Sequence, residues 1–309
     1  MTTPLVVLAD LAAFALGPIL AVGVIQRTRS VWAGRRGPPI LQPWFDLQRL
    51  VRKTAVYGHT ATAIFRVAPW VGLAAAIAGG VVVPILGVAP LLSFPLDFVW
   101  LAYAWGLGRA ALMLGALDTG SAFEGMGAAR EATFATLVEP ALFLVFGALS
   151  LLTGQHALAG LLAVQPTSGG DVFVWGASVA ALTVVVLIEG ARLPADDPAT
   201  HLELTMVHEV MVLDHSGPEL AAIQATAALK LALGIGMLAA LLNPWSGDQG
   251  AIGLALGCNL ALSLGLAVAI GSMESLAARL ATRDVPRYLL GAVIAGGVAL
   301  LGTLWQGAA

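Results

Sequence analysis

Residues 189–217 read EGARLPADDPATHLELTMVHEVMVLDHSG. The stretch gathers Glu189, Arg192, Asp196, Asp197, Glu203, Glu209, Asp214 and three of the chain's five histidines. Only 11% of the 309 residues are charged, and the runs on either side are long and apolar. Ionisable groups concentrated between hydrophobic runs point to function, because charge near hydrocarbon is costly. A solvated loop is the plain alternative. Asp197-Pro198 has the form of an N-cap with proline at the first helical position, and Ser216-Gly217-Pro218 has the form of a stop. A helix of about five turns is predicted between them. On its wheel Leu202, Met206, Val210 and Leu213 form an apolar stripe, Glu203 and Asp214 share a second, and His201, His208 and His215 line a third. Histidines one heptad apart are separated by about 10 Å along a helix, too far to share one ion. Val212 also stands where the zinc-protease spacing after His208-Glu209 would place a histidine. No metal site is expected.

With 59% hydrophobic residues and a mean hydropathy of +0.89, the chain is predicted to be a single all-α polytopic membrane domain over residues 1–309. About eight transmembrane helices are expected, with amphipathic helices at the interface. The spans are placed at about 5–25, 67–89, 95–117, 134–153, 172–190, 219–242, 251–273 and 287–305. The first lacks a basic n-region and a clear cleavage site, so it is expected to be retained. Of the fifteen Lys and Arg, all but Arg109 and Lys230 fall in the segments 26–66, 118–133, 191–218 and 274–287. The loops near 90, at 154–171 and at 243–250 carry none. This asymmetry predicts that the polar segments are cytoplasmic and both termini outside. A formal charge of −3 gives no reason to expect nucleic acid. A lone cysteine, Cys258, excludes an internal disulfide and a cysteine-ligated iron–sulfur cluster in this chain.

Arg27, Arg29, Arg35, Arg36, Arg49, Arg52 and Lys53 crowd the segment after the first span. There Gly37-Pro38-Pro39 enforces a turn, and Trp44, Phe45, Leu47 and Leu50 give the next segment an apolar side, as in a helix lying in the interface plane. Arg109 and Lys230 lie deep in predicted spans, where a cation costs roughly 2.5–3.5 kcal/mol unless it meets a partner or water. Candidate partners are Asp97, Asp118, Glu139 and Glu189. Pro140 loosens the helix beside Glu139. Such groups could form a chain that conducts protons, or plain ion pairs between helices. Asp10, in the first span, is expected to reach the interface.

Three polar segments resemble a known family. They are Arg36-Gly37-Pro38 with Leu41-Gln42-Pro43 and Asp46; Gly127-Ala128-Ala129-Arg130 with Glu139; and Glu189, Arg192, Pro194, Asp196, Glu203-Leu204 and Ser216-Gly217. The family is subunit 1 of respiratory complex I (NADH dehydrogenase subunit 1), with its counterparts in membrane-bound nickel–iron hydrogenases. After Arg192-Leu193-Pro194-Ala195-Asp196 the quinone-reducing members continue with a Phe-Asp and a dense run of acids. Here Pro198-Ala199-Thr200-His201-Leu202-Glu203-Leu204-Thr205-Met206 intervenes, and the string resembles the hydrogenase branch, that of formate hydrogenlyase subunit 4 and its relatives.

The resemblance implies a coupling subunit in a bacterial or archaeal cytoplasmic membrane. It would dock a peripheral redox arm and link electron transfer to proton or sodium translocation. Implied partners are the hydrogenase large and small subunits, an iron–sulfur subunit and antiporter-like membrane subunits. The nickel–iron centre and iron–sulfur clusters would belong to those partners, leaving no cofactor and no catalytic residue to this chain. Glu139, Glu189, Arg192, Asp196, Glu203, Asp214, Lys230 and Arg109 are the implied ion-pathway and coupling residues. Arg36, Gln42, Asp46, Arg130, His201 and His208 are the implied arm-docking or loop-shaping residues. The alternatives are the quinone-site subunit of an NADH:quinone oxidoreductase, a stand-alone secondary ion transporter and an inert anchor. The anchor fits least well, since it needs no ionised groups inside the bilayer.

Overall fold

Long apolar runs become helices here because backbone in hydrocarbon must satisfy its hydrogen bonds within its own segment. The computed structural model describes residues 4–196, 206–246 and 250–308. Among them there is no strand, and eight helices are long and apolar enough to cross a membrane. These are α1 (Pro4–Trp32), α3 (Ala63–Gly80), α4 (Asp97–Asp118), α5 (Ala122–Thr153), α7 (Gly169–Glu189), α8 (Gly217–Leu242), α9 (Ile252–Leu276) and α10 (Val285–Ala308). Two short helices, α2 (Gln42–Val51) and α6 (Leu158–Leu162), lie between them. On α2, Leu50 is buried while Trp44 and Phe45, expected on the same apolar side, are exposed.

Three spans depart from the expected bounds. The first, placed at 5–25, runs on to Trp32 and carries Arg27 and Arg29 on the helix. The run placed at 67–89 closes as α3 at Gly80, and residues 81–96 form an irregular segment in which Val82 and Val83 are wholly buried. Pro84 and Pro90 withhold the amide hydrogens a helix needs, and Gly87 turns the chain at φ +72°. The run placed at 134–153 begins instead at Ala122. The full 32 residues of α5 reach about 48 Å, well beyond a hydrocarbon core of about 30 Å. Glu124, Arg130 and Glu131 lower the local hydropathy without breaking the helix, so this extension read as loop.

Helix α8 is the axis of the bundle. Its residues Leu229–Leu241 are all buried, and it packs on α1, α2, α3, α7 and α9. A helix apolar on every side belongs in the interior. At the end of the bundle holding the polar segments, Val56 N–H donates to Ser216 Oγ (2.9 Å), Thr60 Oγ1 to Thr119 O (2.8 Å) and Leu280 N–H to Pro194 O (2.9 Å). At the other end, which carries both termini, Leu96 N–H donates to His156 O (2.8 Å) and Trp175 Nε1 to Leu241 O (2.8 Å).

The helix expected between Asp197 and Ser216 is not borne out where the structure can be compared. Residues 197–205, with His201, Leu202 and Glu203, lie outside the described residues. From Met206 the chain makes a bend, a turn and a single 3-10 turn, Glu209–Val212. Two contacts override the helical period. The Asp196 carboxylate accepts from the N–H groups of Val207 (3.3 Å) and His208 (2.9 Å), so the turn is fastened from upstream. Val210 and Met211 also seat against Gly127 of α5, where a Cβ would stand 2.4 Å from Val210 Cγ1. Ser216-Gly217-Pro218 does not stop a helix but starts α8, with Ser216 at the N-cap and proline in the first turn.

Candidate functional site: a chain of buried charges

The guanidinium of Arg109, on α4, is nearly fully buried and faces three carboxylates. Its Nη1 lies 2.7 Å from Glu189 Oε1, at the end of α7, and its Nη2 lies 2.8 Å from Glu139 Oε1 on α5. Glu131, two turns before Glu139 on α5, is 4.0 Å from Arg109 Nε. The second oxygen of Glu189 accepts from Lys230 Nζ of α8 at 3.0 Å, and Lys230 also sits 5.5 Å from the centre of the Trp105 ring. The sequence-predicted partners Glu139 and Glu189 thus meet the two buried cations. Asp97 and Asp118 do not: Asp97 accepts from Leu158 N–H (2.6 Å) and Asp118 from the N–H (2.7 Å) and hydroxyl of Thr62.

The cluster continues to the polar end through His208. Its Nε2 is 3.6 Å from Glu131 Oε2 and its Nδ1 is 3.3 Å from Asp196 Oδ2, while Arg279 Nη2 stands 4.0 Å from Asp196 Oδ1. Arg279, Asp196, His208, Glu131, Arg109, Glu189 and Lys230 therefore form one sequence of contacts, none longer than 4.0 Å, with Glu139 as a branch. Burial works against charging His208, but Glu131 and the hydrogen-bonded Asp196 outweigh it and raise its pKa to about 9. Burial likewise opposes charge on Asp196, and its bonds to His208 with the nearby Arg279 prevail, holding its carboxyl below the usual range. With His208 protonated, Arg109, Lys230, Arg279 and His208 balance Glu131, Glu139, Glu189 and Asp196. At 4 Å and an effective dielectric of 20, one unit charge shifts its neighbour by about 4 kcal/mol, or roughly three pKa units. A change of protonation at one member therefore acts on the groups next to it. Glu139 ends the branch with its side chain 46% exposed, on the flank of the bundle.

The remaining predicted residues lie elsewhere. Arg192 joins a second cluster, 3.4 Å from Glu274 Oε1, whose other oxygen is 3.2 Å from Arg29. The Asp214 side chain is exposed; its backbone N–H donates to Glu124 at 3.0 Å. Gln42 and Asp46 hydrogen-bond each other across one turn of α2 (3.1 Å), and Arg36 is exposed nearby. Arg130 Nη1 donates to Met206 O at 2.8 Å, tying α5 to the turn that carries His208. Glu131, Glu274, Glu124 and Arg279 escaped the sequence reading. Glu124 and Glu131 did leave a signal, the seven-residue spacing that puts both on one side of a helix. His215 is buried against Phe65, with ring centres 3.9 Å apart, and burial lowers its pKa to about 4. It stands apart from the line.

The NADH dehydrogenase family profile matches residues 5–290. The chain belongs to this family. Within it, the chain is 27% identical over 230 residues to hydrogenase-4 component C of Escherichia coli strain K12, covering 74% of this chain and 72% of that one. It is 27% identical over 243 residues to formate hydrogenlyase subunit 4 of the same organism, covering 76% of each. The fold is shared with a chain of the membrane-bound sulfane sulfur reductase, an archaeal respiratory membrane complex. There the TM-score is 0.72 at 18% identity, over 96% of this chain and 98% of that one. This member of the NADH dehydrogenase family is thus a homologue of membrane subunits of hydrogenase-type complexes.

Proposed function

We propose that this chain is the membrane-embedded coupling subunit of a formate hydrogenlyase-like, energy-converting hydrogenase complex. The observation that carries the reading is the line of buried charges from Arg279 to Lys230, with its branch to Glu139. Charge at membrane depth has a use when its state answers to chemistry next door. The polar end, with Asp196, His208 and the 3-10 turn, would sit beneath a peripheral arm bearing the nickel–iron centre and iron–sulfur clusters. Reduction there would shift the protonation of Asp196 and His208, and the line would carry that shift to Glu139. From Glu139 the ion, a proton or sodium, would pass to an antiporter-like membrane subunit covering that flank. The polar end would face the cytoplasm, with both termini outside, as the placement of Lys and Arg supports. Homology to the two hydrogenase-type subunits favours hydrogen evolution over quinone reduction.

The test is purification of the complex from native membranes, with nickel content, hydrogen evolution, quinone reduction and ion uptake into inverted vesicles measured together. Nickel, hydrogen evolution and ion uptake are expected from the parent complex. Glu139→Gln removes charge but little volume, and should retain hydrogen evolution in detergent while losing most ion uptake in vesicles. Unchanged uptake would remove Glu139 from the path. Quinone reduction without nickel would overturn the hydrogenase assignment.

A further inference from the structure

The end of the bundle that carries the termini holds three acids among the described residues, and two of them have an evident task. Asp97 accepts from Leu158 N–H (2.6 Å) and Ser93 Oγ (3.5 Å). Asp171 accepts from the N–H groups of Thr167 and Ser168, both at 3.0 Å, in a capping box at the start of α7. Asp10, on α1, is different: it is 2% exposed and neither carboxyl oxygen has a hydrogen-bond partner. This overturns the expectation that Asp10 reaches the interface. The residue lies nearly two turns inside α1, and its carboxyl adjoins the backbone of Leu86.

A second orphan oxygen lies beside the same turn. Asn259 of α9 is wholly buried, and its Nδ2 donates to Ile85 O at 2.6 Å. That bond fixes the carboxamide's orientation, because a carbonyl can only accept. The atom left over is therefore Oδ1, which has no partner. Gly87 closes the turn with φ +72°, and a Cβ there would stand 2.6 Å from Asn259 Oδ1. The Asp10 carboxyl adjoins the backbone of Leu86 in the same turn, without a hydrogen bond of good geometry. Helices α1 and α9 pack side by side, so acid and amide flank one three-residue turn. Ser246 Oγ donates to Gly87 O (2.9 Å) and Asn243 Nδ2 to Ala255 O (2.9 Å), closing the terminal side.

All three unpartnered atoms are acceptors, so what the site lacks is positive charge. Among the described residues no lysine or arginine stands nearby. No Lys or Arg occurs before residue 27, between 67 and 108, or between 231 and 278. Lys230 is remote, because Ala232 meets Gly17 (3.9 Å); that sets Lys230 more than about 10 Å along the helix axis from Asp10. An ionised carboxylate buried without compensation costs several kcal/mol, so the compensating charge must come from solution. One carboxylate is too little for calcium, which takes six to eight oxygens and several acids.

We propose that Asp10, Asn259 and the Ile85–Gly87 turn form a site for one exchangeable monovalent cation, a proton or a sodium ion. The site rests on the orphan oxygens alone and stands or falls independently of the coupling role. Its test uses the full complex in native membranes and dicyclohexylcarbodiimide, which modifies buried carboxyls only while they are protonated. Adduct formation at Asp10 is read by peptide mass spectrometry and should fall as pH rises from mildly acidic to mildly alkaline. Protection by sodium chloride but not by choline chloride assigns sodium as the competing occupant; pH dependence without protection assigns the proton. Asp10→Asn should abolish the adduct while the complex still assembles. Asn259→Ala, which keeps the acid, should shift its pH or sodium dependence. No adduct under any condition, or an adduct insensitive to both pH and sodium, overturns the proposal, since the acid is then inaccessible or permanently neutral.

Discussion

Glu189 is the sharpest place to perturb the line of charges, because each of its oxygens serves a different cation. Glu189→Gln keeps the volume and removes the charge. Arg109 retains Glu139 at 2.8 Å and Glu131 at 4.0 Å. Lys230 loses the carboxylate 3.0 Å away and keeps only the face of Trp105 at 5.5 Å. Breaking a buried pair from one side costs roughly 3–5 kcal/mol, and the remaining amide oxygen recovers part of that, so a loss of about 3 kcal/mol is expected. Lys230→Met alone leaves Glu189 paired with Arg109 and should cost less. The double variant Glu189→Gln/Lys230→Met leaves no uncompensated cation at this point and should recover at least half of the loss. The assay is fluorescence-detected size exclusion of the tagged complex after heating, which reads the four corners of the cycle. Equal melting of wild type and Glu189→Gln, or no recovery in the double variant, refutes the idea that Glu189 holds two buried cations.

Other expectations follow from the same geometry. The raised pKa of His208 means that its pairing with Glu131 and Asp196 is fully present below about pH 6.5 and lost as pH rises through about 9. The ratio of ion uptake to hydrogen evolution should therefore fall on the alkaline side, and His208→Gln should lower it at every pH and flatten the profile. Gly127→Ala would place a Cβ 2.4 Å from Val210 Cγ1 and 2.9 Å from Met211 Cγ. Overpacking of this kind costs about 1–3 kcal/mol, so the variant should melt earlier and couple poorly through the displaced His208 turn. Gly125→Ala, whose Cβ would meet only Leu117 Cδ2 at 3.9 Å, is the silent control.

The fold was legible because hydrocarbon leaves the backbone few choices, and apolar runs alone locate the eight long helices. Hydropathy failed where composition and geometry part company. Val82 and Val83 are as apolar as any spanning residue yet sit in a buried irregular segment, while Glu124 and Glu131 continue a helix that polarity seemed to end. The site was legible in its deepest members. Arg109 and Lys230 are so costly in a bilayer that partners had to exist, and two of the four proposed, Glu139 and Glu189, are among the three carboxylates found, with Glu131 the third. The His208 stripe misled, because helical spacing assumes a helix. A carboxylate at Asp196 and a notch at Gly127 fold residues 206–212 as turns. Contacts between distant segments, such as Glu274 with Arg29 and Arg192, leave no local pattern to read.

Glu139 has a consequence for how such a chain is made. Nearly half of its side chain lies open on the flank of the bundle, where a newly inserted chain meets acyl chains. Until a neighbouring helix covers that patch, the nascent protein must draw headgroups or water inward to solvate the acid, and the local bilayer thins. Biogenesis should therefore favour early lateral capture by another integral subunit, before any soluble module arrives, with orphaned copies exposed to membrane proteases.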